Sequence, residues 1–154
     1  MTTLQKNDKA PIFSAKDQNS NPISLSDFKG KQLILYFYPK DDTPGCTKEA
    51  CSLRDGYEQL KGLGLDVVGV SPDSPASHLK FIAKYNLPFT LIADTDKSIA
   101  TAYGVYGEKL MYGKPVKGIH RTTFIIDGNG NISEVIKKVD TSEHVKQIIE
   151  LLKK

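Results

Sequence analysis

The chain has 154 residues and a formal net charge of +3, with 25% charged and 39% hydrophobic residues. This balance excludes a disordered or fibrous protein and fits one domain over residues 1–154. The basic residues are scattered apart from Lys137-Lys138 and Lys153-Lys154, unlike the concentrated basic face of a nucleic-acid binder.

The longest apolar run, Leu33–Tyr38, is far below the roughly 20 residues of a membrane span. Residues 1–10 lack the apolar centre of a signal peptide. The expectation is a soluble cytoplasmic protein with neither membrane nor nucleic acid as partner. After a polar, turn-rich start, Leu33–Tyr38 reads as a strand covered on both faces. The segment Pro39–Gly45 is dense in turn formers. A helix follows, with Thr43 as N-cap and Pro44 at its first position. Ala50, Leu53, Tyr57 and Leu60 recur on one helical face, and Gly62 and Gly64 end the helix.

Asp66–Val70 reads as a second buried strand. Ser74-Pro75 repeats the cap-plus-proline start, and Leu79, Ile82 and Tyr85 form the stripe of the next helix. Phe89–Ile92 is a short strand and Asp96–Tyr103 a short helix. Gly104–Gly118 reads as a Gly-rich basic loop that shapes an entrance or a docking surface. Thr122–Ile126 and Ile132–Val139 are strands joined by Asp127-Gly-Asn-Gly130. Val145, Ile148, Ile149 and Leu152 face inward from a last helix. The order is that of an α/β protein with parallel strands first and an antiparallel pair late. A thioredoxin-like fold, with a central mixed β-sheet flanked by helices, is one architecture that fits.

The only cysteines are Cys46 and Cys51, and the histidines His78, His120 and His144 show no ligand spacing with them. No metal site and no cofactor are expected. A redox pair, a nucleophile and two small buried hydrophobes remain open. Cys46 falls in the first turn of a helix that follows a strand. Unpaired N–H groups and the positive end of the helix dipole there favour thiolate over thiol. At about 100° per residue, Cys46 shares the inward face with Ala50, Leu53, Tyr57 and Leu60, while Cys51 is turned about 140° away.

The spacing is not the Cys-x-x-Cys of a dithiol shuttle. On an intact helix the two Cα atoms lie roughly 8–9 Å apart, and a disulfide needs about 4.4–6.8 Å. The two sulfurs can therefore meet only if the first turns unwind. A sulfenic acid awaiting a second thiol tolerates this better than a fast shuttle does. Arg121 alone reads as a surface ion pair, Arg54 and Lys48 as solvated, and Asp41 and Asp42 as turn formers. Tyr36, Tyr38 and Tyr57 read as core or pocket wall. No feature pairs His120 with Cys46.

Pro39-Lys-Asp-Asp-Thr43-Pro-Gly-Cys46 resembles the active-site loop of the peroxiredoxins, thiol peroxidases of thioredoxin-like fold. With Thr47-Lys-Glu-Ala-Cys51, Tyr103-Gly-Val-Tyr-Gly107, Gly113-Lys114 and Gly118–Asp127, the chain resembles the bacterioferritin comigratory protein, or peroxiredoxin Q, subgroup. The resemblance implies that Cys46 attacks peroxide and that Cys51 resolves the sulfenic acid as an intramolecular disulfide. It implies that Thr43 and Arg121 contact thiolate and peroxide, that Pro39 shields the pocket, and that Glu49 orients Arg121. It also implies hydrogen peroxide and organic hydroperoxides as substrates and a thioredoxin-like dithiol donor. A monomer suffices for such a cycle. A thiol–disulfide oxidoreductase and a peroxide-sensing redox switch are the competing readings.

Overall fold

The computed structural model describes residues 2–153, with Met111 described by its backbone alone. Its first half contains β1 (Ser14–Asp17), β2 (Pro22–Ser24), a 3-10 turn at Leu25–Phe28, β3 (Gln32–Phe37), α1 (Pro44–Asp55), α2 (Tyr57–Gly62) and β4 (Leu65–Ser71). The second half contains α3 (Pro75–Tyr85), β5 (Thr90–Ala93), α4 (Ser98–Ala102), β6 (Tyr106–Met111), β7 (Lys114–Ile119), β8 (Thr122–Ile126), β9 (Ile132–Ile136) and α5 (His144–Leu152).

Seven strands form one sheet in the order β2-β1-β5-β4-β3-β8-β9. β3, β4 and β5 run parallel, while β8 and β9 on one side and β1 and β2 on the other are antiparallel. Along β3 the side chains part with the period of two that a strand imposes. Leu33, Leu35 and Phe37 enter one core, while Ile34, Tyr36 and Tyr38 enter the other. Helices α1, α2, α3 and α5 cover the second face through Leu53, Leu60, Phe81 and Ile148. α4 and the amino-terminal segment cover the first through Ile99, Ala100 and Phe13. Both faces are buried, which is why the run at Leu33 is continuous rather than alternating.

Most expected elements form, and α3 begins as expected: the Ser74 hydroxyl accepts the Ser77 N–H at 3.2 Å, with Pro75 in the first turn. Five expectations need correction. The polar start contains a β-hairpin whose turn is tied by Asp17 Oδ1, which accepts the N–H groups of Asn19 and Asn21. The first helix divides at Gly56, where Val145 of α5 packs so close that an added Cβ would lie 2.6 Å from its Cγ1. Leu79 is 45% exposed, and the buried positions of α3 are His78 and Phe81.

The expected loop Gly104–Gly118 is instead the two-stranded ribbon β6–β7, closed by Tyr112 and Gly113 at positive φ. β9 also stops at Ile136, before the expected Val139. Beyond it the Lys138 carbonyl accepts the Gln147 amide, so this backbone serves α5 instead of the sheet.

Candidate active site

The end of β3 and the start of α1 place Cys46. Thr43 holds the extended backbone of an N-cap, but its hydroxyl donates to the Lys40 carbonyl at 2.9 Å and caps nothing. Pro44 has no N–H, and the first N–H to bond back is that of Thr47, to the Thr43 carbonyl. The N–H groups of Gly45 and Cys46 thus face outward from the helix end, which is electropositive. Cys46 itself is 1% exposed, packed in the core that holds Tyr36, Tyr38, Ala50 and Leu53.

Arg121, between β7 and β8, reaches this helix end from the strand beside β3, since Thr122 pairs with Phe37. Its Nη2 donates to Cys46 Sγ at 3.3 Å and its Nη1 to Glu49 Oε1 at 2.7 Å. Glu49 is fully buried, one turn after Cys46 on the same inward face. Burial pushes its carboxyl up to about 7, against the pull of Arg121. Burial works against the charge of Arg121, but Glu49 and Cys46 outweigh it and hold the guanidinium above its usual range. Gly45 makes the approach feasible, since a Cβ there would sit 3.1 Å from Arg121 Nη2. The result is a fixed cation bridging a sulfur and a carboxylate beside the two outward-facing N–H groups at the helix end. Such a group can stabilise a thiolate and the negative charge that develops on a leaving oxygen.

The remaining residues lie around this centre. Pro39 and Arg121 line one side of a cleft with Ile119, His120, Lys137 and Val139. Cys51 is half-buried farther along α1, and both cysteines are free thiols. Thr43 flanks the site, with its hydroxyl committed to the Lys40 carbonyl. His120 makes no bond to Cys46, and burial holds its imidazole below the usual range. Arg54 is not merely solvated, since it donates to the Tyr85 carbonyl at 2.8 Å.

Three features escape the sequence. His144, fully buried, sits with Nε2 3.6 Å from Glu49 Oε2 and 2.8 Å from the Thr123 hydroxyl. Its Nδ1 faces Gln147 Oε1, which also accepts the Asp140 N–H and so only accepts from the ring. Gly45 reads as a turn former until the Arg121 contact is seen. Asp41 is a buried acceptor, while its neighbour Asp42, at φ 57°, is the turn residue. Position-to-position spacing carries none of these, because the partners that define each role come from distant segments: Glu49 and Thr123 for His144, Arg121 for Gly45, and His78 for Asp41.

Known proteins share this arrangement of chain. Residues 7–135 match the AhpC/TSA family. A Bcp-type peroxiredoxin of Coxiella burnetii is 50% identical over 147 residues, 96% of this chain and 97% of that protein. Peroxiredoxin Bcp of Escherichia coli is 44% identical over 153 residues, 99% of this chain and 98% of that protein. Among solved structures, peroxiredoxin Q of Xanthomonas campestris superposes with a TM-score of 0.85 at 35% identity, covering 92% of this chain and 89% of that one. Thioredoxin-like fold, helix-end cysteine and family match agree, and the chain belongs to the AhpC/TSA family, among the peroxiredoxins of the Bcp or peroxiredoxin Q type.

Proposed function

We propose that this thiol peroxidase reduces hydrogen peroxide and organic hydroperoxides through Cys46. The Cys46 thiolate attacks one peroxide oxygen. The O–O bond breaks, and the other oxygen leaves as water or an alcohol after taking a proton. Cys46 is then a sulfenic acid. Cys51 attacks its sulfur, hydroxide leaves as water with the Cys51 proton, and an intramolecular disulfide forms. A thioredoxin-like dithiol donor reduces that disulfide, the donor becoming oxidised in turn. The enzyme needs only one chain for this cycle, and we place it as a monomer in the cytoplasm.

The observation that carries this reading is the Arg121 fork, one arm on Cys46 Sγ and the other on Glu49 Oε1. Arg121 holds the thiolate and receives the charge of the leaving oxygen. Glu49 orients Arg121, the Thr43 backbone starts the helix end, and Pro39 closes the cleft against water. Described residues include no helix long and apolar enough to cross a membrane.

The test adds one equivalent of hydrogen peroxide to fully reduced protein and reads intact mass and free thiols. The parent is expected to lose two hydrogens and both thiols. Cys51→Ser should gain one oxygen, and Cys46→Ser should not react. A Cys46→Ser variant that reacts as fast as the parent overturns the assignment.

A further inference from the structure

The loop before Cys46 is fastened to α3, a helix that gives no atom to the Cys46–Arg121–Glu49 cluster. Asp42 reaches the last turn of α3, accepting from Lys84 Nζ and from the Tyr85 hydroxyl, each at 2.8 Å. Asp41 reaches the first turn and is buried there. Its Oδ1 accepts the Tyr38 hydroxyl at 2.6 Å; its Oδ2 accepts the Ser77 hydroxyl at 2.8 Å and lies 2.7 Å from His78 Nδ1. The Asp41 N–H donates to Asp73 Oδ2 at 2.7 Å, and that oxygen also accepts the Ser71 hydroxyl.

His78 settles the nature of the bridge. Its Nε2 lies 2.9 Å from the Ile92 carbonyl, which can only accept, so Nε2 carries a proton. The contact between Nδ1 and Asp41 Oδ2 then holds a second proton. The side chains of His78 and Asp41 are 0% and 4% exposed, and each polar atom is matched. A buried network satisfied in this way is stiff, and removing one partner is costly.

Stiffness at this point bears on the second chemical step. Within α1, Cys46 and Cys51 are too far apart to bond, so one end of the helix must give. The carboxyl-terminal half is held by buried Leu53, by Arg54 on the Tyr85 carbonyl, and by Gly56 against Val145. Unwinding therefore falls on the first turns, and the chain that must follow them is the segment that Asp41 anchors.

We propose that the Asp41–His78 bridge is a latch: it holds the loop in its peroxide-reactive arrangement and limits how fast oxidised Cys46 reaches Cys51. The inference rests on the reading of Cys51 as the resolving thiol. Asp41 and His78 are positioning residues, since neither touches the reacting atoms. The same chemistry proceeds with or without the latch: the Cys51 sulfur bonds to the Cys46 sulfur, the S–O bond breaks, and water leaves.

The experiment separates the two steps by rapid mixing with one equivalent of hydrogen peroxide, quenching by thiol alkylation and weighing each species. Asp41→Asn, His78→Asn and the double variant are compared with the parent. Ile132→Val on β9, in the opposite core, controls for general loss of stability. Disulfide formation should accelerate about fivefold or more in each single variant, the factor one buried hydrogen bond is worth. Sulfenate formation should slow. The double variant should differ little from the singles, because both break one bridge. Under excess peroxide the sulfinic acid fraction should fall. If the two single variants fail to fold, Ser77→Ala, which deletes one bond to Asp41, should shift both steps in the same directions.

Unchanged or slower disulfide formation overturns the latch, as does an equal acceleration in Ile132→Val. If the parent itself forms no disulfide, the resolving role of Cys51 falls first and the latch falls with it. If the parent forms one and the variants form it no faster, the latch alone is wrong.

Discussion

One guanidinium serves two acceptors at the helix end, and the fork geometry of arginine is what permits this. Lysine can offer charge but not two fixed, divergent N–H groups. Arg121→Lys should therefore slow sulfenate formation about 100-fold, the cost of losing one oriented donor at a developing charge, measured by rapid mixing. Glu49 gives a second handle. Its carboxyl rises from 4.5 to about 7 because burial penalises its charge more than Arg121 compensates. Between those values the folded state holds a proton that the unfolded state has released, so stability falls as pH rises through that window. The change is on the order of 2–3 kcal/mol. It should be present in the parent and absent in Glu49→Gln. Burial lowers the His144 imidazole, which acts in the opposite sense by costing stability below its ordinary range. Denaturant midpoints of parent minus variant at pH 5 and pH 8 isolate the Glu49 share. Cys46 is legible from the strand, turn and helix signals around it. Glu49 is half legible: its one-turn spacing puts it on the inward face, but what neutralises it lies 72 residues away. Asp41 and His78 are 37 apart, and nothing local to either announces the other.

Elements with their own periodicity or caps are readable without tertiary context. The strand at Leu33 and the start of α3 are of this kind. The others were fixed by neighbours. The β6–β7 ribbon has glycine and lysine where a covered strand would have valine, and among the described residues it pairs only with itself. Its alternation carries little apolar signal because neither face is fully buried. The break at Gly56 is invisible in a stripe that runs through Leu53 and Leu60, both fully buried. It exists because α5 needs the space. Gly56 has φ −98°, which alanine also adopts, so the conflict there is steric only. In Gly56→Ala the added Cβ meets Val145 Cγ1 and Cγ2 at 2.6 and 2.7 Å. Overpacking of this kind costs about 1–3 kcal/mol, and at the break between α1 and α2 alanine brings no interior-helix gain to offset it. A thermal melt should show Tm lower by a few degrees. Val145→Ala placed on top of Gly56→Ala should recover most of that loss, since it removes the two methyl groups in conflict.

At the scale of the whole molecule, catalysis asks one region to yield while the rest stays put. The sheet is well suited to stay put. β3 is held by β4 on one side and β8 on the other, and its two faces carry separate buried apolar cores. The backbone ladders of β3 do not involve α1, and of the first turns of α1 only Cys46 and Ala50 enter the core on the second face. Those turns bury Cys46, Glu49 and Ala50, and their backbone start is capped by no side chain. Local stability follows buried contacts and satisfied backbone, so opening should be confined to this segment. Oxidised parent should therefore lose amide hydrogen-exchange protection from about Thr47 to Ala50, the first N–H groups of α1 that bond within the helix. Protection in β3, β4 and β8 should stay as it is in the reduced protein. Peroxide-treated Cys51→Ser, which carries the sulfenic acid but cannot close the disulfide, should keep its helix protected. A dithiol reductant should restore protection to the oxidised parent. Loss of protection across the sheet would mean that α1 and the sheet unfold as one unit. Loss in Cys51→Ser would mean that oxidation alone, without the pull of the second sulfur, opens the helix. Geometry argues for the pull: an oxygen on Cys46 adds one atom to a buried pocket, whereas the disulfide must draw two Cα atoms roughly 1–5 Å closer than an intact helix allows.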